Sequence, residues 1–100
     1  IPIVFVDNDL KVKQFTKAAT DIINLIDTDV TRSIGQITTN LRYDSFIDDI
    51  EEVTRRARYK EEVVETKDGT SYRMRLSPYR NVDNVMEGVL IAFIDMPETD

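Results

Sequence analysis

The stretch "VVETKDGTSYRMRLSPYR", Val63 to Arg80, decides the architecture. Two strand-like runs flank Asp68-Gly69, a pair suited to a tight two-residue hairpin turn. In the second arm Tyr72, Met74, Leu76 and Pro78 share one face, and Arg73, Arg75 and Ser77 share the other. Such a strand lays its apolar face on a core and turns its charged face outward. Glu61, Glu62 and Glu65 on the first arm stand within reach as cross-strand partners for the arginines.

Working outward, the first arm reads as a strand from Lys60 to Thr66 and the second as a strand from Thr70 to Pro78. "NVDN" loops over to "MEGVLIAFID", Met86 to Asp95, the most apolar run in the chain. Because it is apolar at odd and even positions alike, a central strand covered on both faces is expected. Upstream, "YDSFIDDIEEVTRRAR" predicts a helix over 43–58, with Phe46, Ile47, Ile50, Val53 and Ala57 as its apolar stripe. Its acids crowd the beginning and its arginines the end, which suits the helix macrodipole. Residues 3–6 and "LKVKQF" predict a hairpin around "DND". Thr16 is placed to cap a helix whose apolar positions are Ala18, Ala19, Ile22, Ile23, Leu25 and Ile26. Gly35 and the Thr38–Asn40 cluster predict turns and short helices between the two longer ones. Strands at both ends with helices between them define an α+β domain, one mostly antiparallel sheet with helices on one face.

Composition narrows the function. A chain of 100 residues, 41% hydrophobic and 32% charged, is one globular domain. The net charge of −6 disfavours nucleic acid and anionic lipid as partners. There is no cysteine and no histidine, which excludes a disulfide scaffold, thiolate metal sites, Ser/His triads and a histidine haem ligand. Neither "IPIVFV" nor "GVLIAFI" approaches the roughly 20 apolar residues of a spanning helix. "IPIVFV" also lacks a basic leader. These features predict a cytoplasmic domain without membrane insertion. "DND" at 7–9 starts like a calcium loop, but Leu10, Lys11 and Val12 follow where further ligands and a glycine are needed, so a turn is expected and no metal. "DDIEE" at 48–52 is read as the solvated face of the helix.

The order of elements resembles the PAS domain, whose five-stranded antiparallel sheet runs 2-1-5-4-3 under helices on one face. "VFVDNDLKVKQFTKAATDIINL" is similar to the family's opening hairpin and first helix, with Thr16 to Ala19 as its Thr-x-Ala-Ala step. "RSIGQI", "KDGTSYRMRLSPYR" and "GVLIAFIDM" are similar to its short-helix stretch, turn-plus-strand and last strand. The combination resembles the PAS domains of chemotaxis methylesterase–methyltransferase fusion proteins and of multidomain sensor histidine kinases. Two positions depart from that pattern: Lys17 replaces a proline, and Asp95-Met96-Pro97 stands where Asp-Ile-Thr is usual. Pro97 suits the first turn of a following helix.

The resemblance implies a single PAS domain over residues 1–100, excised from a larger multidomain protein. By itself it would be regulatory and not an enzyme. It would sense a small ligand or relay a signal to an adjacent output domain, with a ligand-free homodimer as the alternative. Phe5, Ile37, Phe46, Ile50, Met74 and Phe93 would line the family's cavity or simply fill the core. Asp95 would couple the last strand to the output domain. Flavin-adduct photochemistry is excluded by the absent cysteine, and the cofactor, if any, stays unknown.

Overall fold

The computed structural model describes residues 1–96, so Pro97 lies outside the described residues. Five strands, β1 (Ile3–Asp7), β2 (Val12–Phe15), β3 (Lys60–Glu65), β4 (Ser71–Arg80) and β5 (Met86–Asp95), form one sheet in the order β2-β1-β5-β4-β3. Every pairing is antiparallel. The helix α1 (Phe46–Arg56) and three 3-10 turns, Lys17–Asp21, Asp27–Asp29 and Ile34–Gln36, lie between the second and third strands. This is the α+β architecture and strand order that the sequence implied.

Alternation decides which side chains enter the core. Val4 and Val6 of β1, Met74 and Leu76 of β4, and Val89, Ile91 and Phe93 of β5 are fully buried, and α1 adds Phe46, Ile50 and Val53. The intervening residues of β5, Leu90, Ala92 and Ile94, are only half-buried. The strand is central, as expected, but its second face carries no covering layer among the described residues.

All three hairpins use one turn. Leu10, Gly69 and Asn84 donate their backbone N–H to the carbonyls of Asp7, Thr66 and Asn81 at 2.9–3.0 Å. Those same first residues donate to Lys11, Thr70 and Val85. Each turn therefore holds three loop residues, the last left-handed, with φ of 63°, 89° and 63°. The turn at Asp68-Gly69 is thus one residue longer than a two-residue hairpin, because Lys67 joins it. Polar side chains close the other two. Asp7 Oδ1 accepts from the N–H of Asp9 and Lys11, and Asn81 Oδ1 from those of Asp83 and Val85. The "DND" carboxylate of Asp7 is thereby used by the backbone, as a turn requires.

The first predicted helix is different. Lys17–Asp21 makes a 3-10 turn, and the chain then runs irregularly while still burying Ile22, Ile23 and Leu25. Thr16 does not cap it; its hydroxyl accepts the N–H of Ile3 at 2.9 Å and ties the turn to β1. Asn40 replaces the missing helical bonds. Its N–H reaches Ile22 O, its Nδ2 reaches Asp21 O, and its carbonyl accepts the N–H of Lys67. The connecting segment also pairs with both outer strands: Ile34 N–H donates to Leu10 O, Val12 N–H donates to Arg32 O, and Arg42 N–H donates to Glu65 O. Both sheet edges are partly covered in this way, which blunts edge-to-edge association. The helix over 43–58 is shorter than its sequence pattern, because Ala57 adopts a left-handed conformation (φ 52°) and ends it.

Gly88 marks the tightest contact in the sheet. A Cβ there would sit 2.0 Å from the carbonyl oxygen of Val6, within the central β1–β5 pairing. Gly88→Ala is expected to lower stability by about 1–3 kcal/mol or more in urea unfolding. Gly35→Ala, whose nearest new contact is Ser33 Oγ at 3.6 Å, serves as the near-neutral control.

Candidate functional site

The sheet places five of the six cavity candidates together on its helix side. Met74 and Phe93 are direct cross-strand partners, and both, with Ile50, have no exposed surface. Phe46 packs on Phe93 with ring centroids 6.5 Å apart, and Tyr72 meets the same ring edge-on at 6.1 Å. Ile37, just after the third 3-10 turn, is buried in the same cluster. All five belong to one buried cluster, and among the described residues no buried side-chain nitrogen or oxygen lacks a hydrogen-bond partner.

Phe5 is the sixth, and it lies on the opposite face. Val4 and Val6 point inward, so Phe5 between them points out, paired with Gln14 and Leu90 and edge-to-face with Tyr79 at 5.1 Å. There it lines two adjoining grooves of about 500 and 520 Å³ that share Lys13, Gln14 and Leu90. Around them the outer face carries Ile3, Ala92 and Ile94, with Val63 58% and Tyr79 47% exposed. Farther along this face Glu61 receives both arginines, Arg73 Nε at 3.3 Å and Arg75 Nε at 3.0 Å. The charged face of β4 is thus internally paired through one glutamate; Glu62 sits opposite Met74 on the other side.

Asp95 closes β5, exposed and directly opposite Tyr72. Together with Asp21, Ala18, Tyr72 and Phe93 it borders a groove of about 450 Å³ at that end of the sheet. Burial pushes the Tyr72 phenol up, and the negative charges of Asp95, Asp68 and Asp21 add to the effect.

A polar cluster at α1 escaped the reading of the sequence. Asp49 is buried between Phe46 and Val53, and its carboxylate accepts from Lys60 Nζ at 2.7 Å and from the Tyr43 hydroxyl. Lys60 also bridges to Glu52 at 3.3 Å. The hydrogen bond to Asp49 holds the Lys60 ammonium well above its ordinary range. The signal was present: Asp49 stands three residues after Phe46 and four before Val53, in phase with the buried stripe and out of phase with a solvated face. Among the described residues no three carboxylates or other ligating side chains gather to hold a metal ion, and no helix is long and apolar enough to cross a membrane.

Comparison with known proteins agrees with this geometry. The family model described as PAS domain matches residues 1–97, and the chain belongs to the PAS domain family. A curated relative, an uncharacterized 104.1 kDa protein in the hypE 3' region of Rhodobacter capsulatus, is 30% identical over 96 residues. That match covers 96% of this chain and 10% of the relative, so the chain spans about a tenth of that protein's length. Among solved structures, the PAS domain of histidine kinase ThkA superposes with a TM-score of 0.77 at 18% identity, covering 95% of this chain and 100% of that one. A C-terminal domain from Streptococcus mutans gives 0.66 at 16% identity, covering 94% and 74%. The likeness to these two structures is one of fold.

The Tyr43–Asp49 bond has a pH signature. Burial pushes the Tyr43 phenol up, and the Asp49 carboxylate raises it further, to about 12 from an ordinary 10.0. A folded value above the unfolded one means stability that is present below pH 10 and lost as pH rises through about 12. In an ultraviolet titration of the phenols, Tyr43→Phe is expected to remove a component titrating near pH 12. An unchanged titration curve would contradict the buried bond.

Proposed function

We propose that the chain is a cytoplasmic relay module of a two-component or chemotaxis-type signalling protein. In this reading it works as a homodimer paired through its outer sheet face and is not an enzyme by itself. The observation that carries this is the contrast between the two faces of the sheet. The inner-face side chains belong to one buried cluster, with Met74, Ile50 and Phe93 without exposed surface, whereas the outer face leaves an apolar row on β1 and β5 half-exposed. Apolar surface open to water on a small domain favours a partner that covers it. A closed interior favours input by contact over a ligand held between sheet and helix.

In this reading a partner domain shifts the sheet against α1. The central strand β5, bonded to β1 and β4 along its length, carries the shift to Asp95 and on to an adjacent output domain of methyltransferase or histidine kinase type. Two substitutions test the two halves of the proposal. Leu90→Glu, at the centre of the outer row, is expected to turn a sedimenting dimer into a monomer without unfolding it. Asp95→Ala in the parent protein is expected to uncouple output from input while leaving the domain folded. Unaltered output control in the Asp95 variant would sink the relay assignment.

A further inference from the structure

The helix α1 buries four side chains, Phe46, Asp49, Ile50 and Val53, and Asp49 is the charged one among them. Its carboxylate is 7% exposed, and neighbouring elements take both of its oxygens. Oδ1 accepts from Nζ of Lys60, the first residue of β3, at 2.7 Å. Oδ2 accepts from the hydroxyl of Tyr43, in the segment that leads into the helix. Three pieces of the fold therefore meet at one carboxylate: the entry to α1, the helix itself and an edge strand.

A buried ion pair adds little stability over apolar side chains of the same shape, yet it is costly to break from one side only. What it adds is position. An eleven-residue helix does not hold itself, so packing decides where it rests. The three apolar contacts are non-directional and tolerate a slide or a roll. The two bonds to Asp49 do not, because each is lost within an ångström or so of displacement. The outer limb also meets solvent: the Lys60 side chain is 27% exposed and that of Glu52 40%.

We infer that Asp49, Lys60 and Tyr43 form a latch that sets the seat of α1 on the sheet, and that its release at Lys60 is the step that frees the helix to move. The consequence for signalling rests on the relay reading above; the latch itself does not.

Hydrogen exchange on this chain tests it directly. Lys60→Met strands the buried carboxylate with Tyr43 alone. The expected result is a rise of roughly tenfold in exchange of the α1 amides, with the amides of Val89 and Ile91 in β5 nearly unchanged. Asp49→Leu combined with Lys60→Met replaces the pair by apolar contact and is expected to return α1 close to its original rates. A rise spread equally over α1 and β5, or no rise in α1, overturns the latch. Should Lys60→Met fail to fold, Tyr43→Phe removes one hydrogen bond only. Its expected signature is a smaller rise confined to α1, and a uniform or absent response again overturns the proposal. Because the readout is local exchange, it stands or falls separately from the effect of Asp95→Ala on output.

Discussion

The structure depends on the pairing of β5 with β1 and β4. β5 is the last of the described strands and the middle strand of the sheet, with β1 and β2 on one side of it and β4 and β3 on the other. Its contact with β1 is close enough at Gly88 that no side chain fits there. Phe93, at the other end of the strand, gathers Met74, Phe46 and Tyr72 around one ring. The interior is built on that strand, and the polar connections of the helical segment follow from where it runs.

Much of this was legible in the sequence. Polar residues punctuate β4 at every second position, so its two faces could be read without ambiguity, and the arginines do meet a glutamate across the strand pair. The stretch "IVFV" has no such punctuation. Every residue in it is apolar, so the phase of β1 was unreadable and Phe5 was assigned to the wrong face. The segment after Thr16 misled for another reason. Apolar residues at three- and four-residue intervals satisfy a helix, but a chain bonded through Asn40 buries Ile22, Ile23 and Leu25 equally well. Periodicity reports which residues are buried and not which backbone buries them. The turn at Asp68-Gly69 was recognised by its glycine, yet its length depends on hydrogen bonds from Thr66 that composition does not encode.

The two faces of the sheet divide the work. On the helix side Met74, Ile50 and Phe93 are core, and Asp49 bonds the covering helix to Lys60 and Tyr43. On the outer side Phe5 and Leu90 are half-buried and Tyr79, edge-to-face with Phe5, is exposed. In the relay reading proposed above, the sheet between α1 and the open apolar face passes displacement, since packed interiors transmit strain instead of absorbing it. Asp95 lies where the central strand leaves that body.

The central claim is that the interior is filled by its own side chains. Native mass spectrometry of the purified chain tests it most directly. The account predicts species at the mass of the polypeptide alone and of its dimer, with no small molecule retained. A stoichiometric bound molecule that is lost on Met74→Trp, which would block the interior, while the outer-face variant Leu90→Glu keeps it, would contradict it.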